Sequence, residues 1–289
     1  MAAPDGAGSA TLGTAELLAD AERPGGWVLL VDRIRQSYVD LDDPTYLDFE
    51  YSQVCADVLA ALPAPPPAAL AVTHVGGGAC TLARFIAATR PGSSQIVLEP
   101  DTAVTALVRA RLPLPRNARI RIRPVGGRAG IGELRDASAD VVVLDAFLGG
   151  RVPGELTTLE FLTDVARVLR PDGVLLANIA DGPPLTYTAR VAATMRAALA
   201  GRDNSVVAIA DPAVLKRRRF GNVVLAASRA SLPLPALRAA AARAPFPRSV
   251  TSTLGRGVAP LRDADAQRSP APPEDSWRVE LDWPDDVDA

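Results

Sequence analysis

Three glycines and two acids, by type and spacing, carry the chemistry in this chain. Gly76, Gly77 and Gly78 follow directly on the apolar run Ala71 to Val75, and Glu99 closes the next apolar run, 23 positions after Gly76. Glycine at a strand end permits positive φ and puts no Cβ in the way, so a ligand can lie against the backbone. A helix starting there aims its first N–H groups into the same space. An acid ending the second strand can accept both hydroxyls of a ribose, and a charge-assisted hydrogen bond of this kind is worth roughly 1.5–3 kcal/mol. The separation is close to the ~20 residues that nucleotide-binding βαβ units use. Asp145 follows the most apolar run of the chain, Ala139 to Leu144. On a strand end it is placed to orient or deprotonate an attacking nucleophile; the plainer reading is that it caps the loop after it.

The triplet is not the dinucleotide fingerprint, because Thr81 stands where the third glycine belongs. The compact form suits an adenosyl ligand without pyrophosphate, such as S-adenosylmethionine. A glycine-rich turn in an unrelated α/β protein is the alternative. The turn after the third strand, VGGRAG at 125–130, puts Gly127 and Arg128 where this class often has an acid for the adenine amino group. Adenine would then rest on backbone groups and apolar contacts.

These residues need a frame. Residues 1 to about 24 are small and polar and predict a disordered N-terminus. Trp27 to Leu41 reads as a hairpin turning at Asp32-Arg33. Asp43 and Pro44 have the form of an N-cap and first helical position, with Leu47, Tyr51, Val54, Val58 and Leu62 as the apolar stripe. Strand-like and helical runs then alternate from 71 to about 227, which predicts a doubly wound sheet. The segment between Ser205–Ala210 and Asn222–Ala227 is too short for a parallel crossover, so the last strand is expected to be antiparallel. The fold class expected is α/β, a seven-stranded doubly wound nucleotide-binding sheet preceded by a small N-terminal β-hairpin domain. The divisions are a hairpin and helix over 25–62, a Rossmann-like nucleoside-binding domain over 69–228, a further helix over 229–245, and a disordered acidic tail over 246–289 that folding does not need.

Composition bounds the function. The 289 residues carry a net charge of −2, which argues against a nucleic-acid partner. No apolar run reaches 18 residues, so no membrane span is expected. The N-terminus lacks a secretory pattern, and the two cysteines lie in different elements. A cytoplasmic setting without disulfides follows. The single histidine, His74, sits on the first strand of the unit and reads as a packed core residue. No cluster has metal-ligand spacing, so no metal is expected.

The hairpin GWVLLVDRIRQS, the segment DDPTYLDFEY, the motif VGGGACTLAR, the acid in VLEPD and the run ADVVVLDAF together resemble the spermidine synthase (polyamine aminopropyltransferase) family over residues 25 to 228. The hairpin ahead of the glycine motif separates this family from plain methyltransferases. The resemblance implies a transferase of polyamine biosynthesis. It would move an aminopropyl group from decarboxylated S-adenosylmethionine to a small amine, release methylthioadenosine, and assemble as a homodimer. It implies that Gln36 touches the nucleoside, Glu99 the ribose, and Asp145 the attacking amine. Departures stand at the amine site. Ala79 replaces the aspartate that continues the glycine motif, and Leu148 replaces a second loop aspartate. Tyr46-Leu47-Asp48 stands for tyrosine-histidine-glutamate. Asp48, Glu50 and Asp181 are the carboxylates available to compensate. An S-adenosylmethionine-dependent methyltransferase on an unknown small acceptor, and a nucleoside-binding relative without turnover, are the alternatives.

Overall fold

The glycine turn lies at the centre of a single large sheet. The computed structural model describes residues 13–201 and 205–273. Strand β4 (Ala71–Val75) leads through the glycines to helix α2 (Thr81–Thr89), which Pro91-Gly92 ends, and strand β5 (Ser94–Leu98) lies parallel to β4. Helix α3 (Thr102–Arg111) begins where Asp101 Oδ1 accepts the N–H groups of Ala103 and Val104 at 2.9 and 3.0 Å, an N-cap of the expected kind. Strand β6 (Ile120–Arg123) completes this half as the edge next to β5.

The chain then returns to the other side of β4. Strand β7 (Ala139–Leu144) pairs parallel with β4, and β8 (Leu169–Asp181) pairs parallel with β7. The order therefore reverses between β4 and β7, and in open α/β sheets a crevice opens beyond the strand ends at such a point. Helix α5 (Leu159–Val168) connects β7 to β8, and α6 (Thr186–Ala198) leads to β9 (Ser205–Ala210). The only helix between β9 and β10 (Gly221–Ser228) is the short α7 (Pro212–Leu215), and β10 runs antiparallel to both β9 and β8. The ten residues from 211 to 220 are too few for a parallel crossover, so this inversion follows from length. The core fills both faces of the sheet: Val141, Val142, Leu175 and Leu225 are fully buried.

The hairpin forms as expected, from β2 (Gly26–Val31) and β3 (Ile34–Asp40), with positive φ at Asp32 and Arg33. A third strand joins it. β1 (Ala15–Ala19) pairs antiparallel with β2, so the loose N-terminal segment is wrong from residue 15 onward; residues 1–12 lie outside the described residues. Helix α1 (Glu50–Ala60) starts after Phe49 and not at Pro44. Asp43 instead accepts hydrogen bonds from the N–H and hydroxyl of Thr45, closing a turn. Helix α4 spans Gly127–Gly132, so the VGGRAG segment is helical in part.

The largest correction concerns the C-terminal segment. After helix α8 (Leu234–Arg243), strand β11 (Ser249–Thr251) pairs antiparallel with β9, making eight strands in the order β11-β9-β10-β8-β7-β4-β5-β6. The chain then crosses α5 and α6. Leu261 is fully buried, its N–H donates to Thr194 Oγ1 at 2.8 Å, and its carbonyl accepts from Leu159 N–H at 2.8 Å. Ser269 is also fully buried, and its Oγ accepts from Val152 N–H at 2.8 Å. The segment from 246 to about 270 is thus anchored to the domain at these points, and of the tail only 274–289 lie outside the described residues. Among the described residues no helix is long and apolar enough to cross a membrane.

Candidate active site

A cavity of about 950 Å³ opens over the carboxyl ends of the strands, from the glycine turn to the start of β10. Gly76, Gly77, Gly78, Gln36, Glu99, Gly127, Arg128, Asp145, Asp48 and Leu148 all line it. Tyr46 does not.

The nucleoside side is built from local sequence. Gly76 has φ +95°, and a Cβ there would lie 2.1 Å from the Asp145 carbonyl oxygen, so only glycine lets β4 and the end of β7 close up. Cys80, in the left-handed region, turns the chain into α2. Glu99 is 9% exposed. Its Oε2 accepts the N–H groups of Gly77 at 2.8 Å and Gly78 at 3.3 Å, and its Oε1 accepts Asp101 N–H at 2.9 Å. The acid is thus fixed in rotamer by the turn it serves. The hairpin closes this end from above: Ser37 Oγ accepts Ala79 N–H at 3.2 Å, and Gln36, its neighbour on β3, faces the cavity. Ala79 is fully buried beneath that contact.

At the third-strand turn, a Cβ on Gly127 would come within 2.3 Å of Val75 Cγ1, so this glycine lets α4 sit against β4. The Arg128 guanidinium forms a two-pronged ion pair with Asp263 of the C-terminal segment. The sequence placed Arg128 with the cofactor residues; its charge is turned to the packed tail while the residue still borders the cavity. With Val75, Leu98 and Leu156 also at the wall, this end is apolar.

Asp145 sits midway. Its N–H donates to Val75 O at 2.9 Å, which anchors the backbone at the strand end. Its Oδ2 accepts the Tyr51 hydroxyl at 3.0 Å and its Oδ1 accepts Asn178 Nδ2 at 3.0 Å; Asn178 Oδ1 in turn accepts Asn222 Nδ2 at 3.0 Å. The carboxylate is thus held by α1 and β8, and no amide of the following loop caps on it among the described residues. Burial pushes the Asp145 carboxyl above its ordinary range, and the bonds from Asn178 and Tyr51 oppose that shift without cancelling it. Burial and the adjacent Asp145 push the Tyr51 phenol well above its ordinary value, which keeps it a neutral donor.

Sequence reasoning missed Tyr51, Asn178 and Asn222. Tyr51 looked like one more member of an apolar helix stripe. Asn178 did leave a signal, a lone amide in the apolar run VLLANIA. Several acceptor-side expectations need correcting. Tyr46 packs edge-on against the Tyr38 ring at 5.6 Å with the Arg23 guanidinium 3.8 Å over its face, so it shapes the hairpin and does not line the cavity. Asp48 reaches the cavity but pairs with Arg35 at 2.9 Å. Asp181 is buried away from it, accepting Thr188 N–H and Oγ1 at 2.8 Å each at the start of α6. Leu148 stands in the loop after β7 in a two-residue bridge with Arg151. His74 is buried, hydrogen-bonded to Gln95 at 2.9 Å, and its pKa is pushed down to about 4 by desolvation, so it is a core residue.

Comparison with known proteins places this arrangement. No family model matches the chain. The polyamine aminopropyltransferase of Chromobacterium violaceum is 29% identical over 143 residues, covering 50% of this chain and 53% of that protein. The chain thus spans about half the length of the curated relatives it matches. A probable spermidine synthase from Corynebacterium glutamicum superposes with a TM-score of 0.79 at 30% identity, covering 86% of this chain and 92% of that one. This chain belongs to the spermidine synthase-like family. A spermidine synthase solved with the transition-state analogue AdoDATO superposes with a TM-score of 0.55 at 17% identity over 77% of this chain and 71% of the other, a likeness of fold. Within the spermidine synthase-like frame, the hairpin, the glycine turn, Glu99 and Asp145 stand around one cavity, while Ala79 and Leu148 leave two positions without a carboxylate.

Proposed function

We propose that the chain transfers an aminopropyl group from decarboxylated S-adenosylmethionine to a small amine, releasing methylthioadenosine. The observation that carries this reading is Asp145, a half-buried carboxylate fixed by Tyr51 and Asn178 and facing the same cavity as Glu99 and the glycine turn. Glu99 takes the ribose hydroxyls, and the apolar wall at Gly127 takes the adenine. Asp145 orients the acceptor ammonium and accepts one of its protons. The freed nitrogen lone pair then attacks the methylene carbon beside the sulfonium. As the C–N bond forms, the C–S bond breaks and its electron pair returns to sulfur, leaving a neutral thioether. The proton passes from Asp145 to water. A base placed this way is typically worth 10²–10⁴-fold in rate, and burial, which raises its proton affinity, suits it to the task. A cytoplasmic homodimer is the assembly this reading takes.

Ala79 favours a second reading. Buried and without a carboxylate, it offers nothing to the free amine of a decarboxylated donor, which leaves room for intact S-adenosylmethionine and methyl transfer. Incubation with either donor and a panel of amines separates the two. Methylthioadenosine supports the first reading, S-adenosylhomocysteine the second, and neither product from any pairing removes both.

A further inference from the structure

Two carboxamides stand in line behind Asp145, and the transfer step uses only the first. Asp145 Oδ1 accepts Asn178 Nδ2 at 3.0 Å, and Asn178 Oδ1 accepts Asn222 Nδ2 at 3.0 Å. The line crosses three strands, since Asp145 follows β7, Asn178 is on β8 and Asn222 on β10. Asn178 stands opposite Val224, so Asn222, two places along, shares its face of the sheet as a diagonal neighbour. Asn222 precedes a buried apolar run, Val223 to Ala227, where an aliphatic side chain would suit the strand better. A carboxamide there needs its hydrogen bond to offset lost hydration.

Asn178 is 3% exposed, and Asn222 gives its oxygen the one donor it has among the described residues. That bond decides which way the Asn178 carboxamide faces. One orientation aims its N–H at Asp145. The other sets its oxygen against a carboxylate. In the first orientation the oxygen must find a donor elsewhere, and a buried oxygen without one is costly. Asn222 supplies the donor and, by polarising the amide, strengthens the N–H that Asp145 accepts. Taking the aminopropyl-transfer reading as given, we infer that Asn222 is a positioning residue for the acceptor base, fixing the Asn178 carboxamide and through it the Asp145 carboxylate.

The groups that other elements bring towards Asp145 do not duplicate this role. From α1 come the Tyr51 phenol, which holds Oδ2, and the Cys55 thiol, both kept neutral because burial raises them. Asp181 at the end of β8 is turned to Thr188, Asp211 after β9 to Arg219, Glu99 after β5 to the glycine turn, and Arg248 to Asp57. Burial and the bonds from Asn178 and Tyr51 therefore set the proton affinity of Asp145, and the Asn178 bond lowers it.

The test compares the native protein with Asn222→Leu, which keeps the side-chain shape and removes the donor, alone and in an Asn178→Leu background. The assay is methylthioadenosine release from decarboxylated S-adenosylmethionine and the amine that turns over fastest, followed across pH. In Asn222→Leu the plateau kcat should fall about tenfold, as for a base slightly displaced. The acid limb of kcat/KM should rise by about half a pH unit or more, because the bond that lowers the Asp145 pKa is weakened. Affinity for methylthioadenosine should stay the same. In the Asn178→Leu background the same substitution should move neither kcat nor the limb. An unmoved limb, or an equal loss in both backgrounds, overturns the inference. If Asn222→Leu melts early, Asn222→Ala is read in the same way. If no amine releases methylthioadenosine, the transfer reading fails separately. Carbon-13 titration of the aspartate carboxyls, with the Asp145 signal identified by its loss in Asp145→Asn, then decides this one: a higher midpoint in Asn222→Leu supports it, and an unchanged or lower midpoint overturns it.

Discussion

Replacing Leu261 by alanine tests whether the C-terminal segment belongs to the fold. Leu261 is fully buried in the core cluster that also holds Phe161 of α5 and Val191 of α6. Its backbone bonds to Thr194 and Leu159 survive the change, so the loss is that of a leucine side chain from a packed site. Substitutions of this kind cost about 2–5 kcal/mol, the upper part of the range applying where the surroundings cannot collapse. Strands and two packed helices leave little room for collapse here, so about 3–4 kcal/mol is the expectation. At roughly 2–4 °C per kcal/mol for a domain of this size, the melting temperature should fall by about 6–16 °C. Scanning calorimetry of Leu261→Ala beside a chain ending at residue 245 is the assay. The truncation should fall further, because it also strips Arg248 from Asp57, Asp263 from Arg128 and Ser269 from Val152. If both proteins melt within about 2 °C of the full chain, the segment is a passenger and the reasoning fails.

Asp145→Asn should lower turnover by 10²–10⁴-fold while methylthioadenosine binds as before; full turnover in the variant would leave Asp145 a structural role only. Because burial raises the Asp145 pKa and the ionised form is the base, the acid limb of kcat/KM should lie above the ordinary aspartate range, and a limb at or below it counts against the assignment. Glu99→Ala should weaken methylthioadenosine binding by about tenfold or more in calorimetry, following the charged hydrogen-bond magnitude. Leu148→Asp should improve turnover of putrescine, since it returns a carboxylate to the near side of the acceptor end; no gain would mean that this position does not touch the acceptor. His74 titrates near 4 when folded against an ordinary 6.5, so its contribution is complete above pH 6.5 and is lost as pH falls towards 4. The gap is worth roughly 3 kcal/mol, and denaturant midpoints measured from pH 7 to 4.5 should fall more steeply in the native chain than in His74→Gln.

Much of the fold was legible because its signals are local. Ala71–Val75, the glycine turn and the Asp32-Arg33 turn each act within a few residues, and the structure has them where the sequence puts them. The start of α1 was misread although Asp43-Pro44 is a true turn signal, because Asp43 also suits the turn it makes with Thr45, and the helix begins six residues later with no side-chain cap. The tail was misread for another reason. It holds on through residues set far apart, Arg248, Leu261 and Ser269, with irregular chain between them. Period and composition register faces, not isolated anchors.

The same division runs through the site. The nucleoside end is made by one stretch, Gly76 to Glu99, whose members touch each other directly, so spacing alone assembles it. The acceptor end is made by contacts across the chain: Tyr51 reaches Asp145 over 94 positions and Arg248 reaches Gln53 over 195. No local pattern encodes such pairs. Arg248, which borders the same cavity, lies in the C-terminal segment that the sequence reading assigns to a disordered tail. Spacing therefore assembles the end of the cavity whose members are neighbours in sequence, and only the fold assembles the end whose members are not.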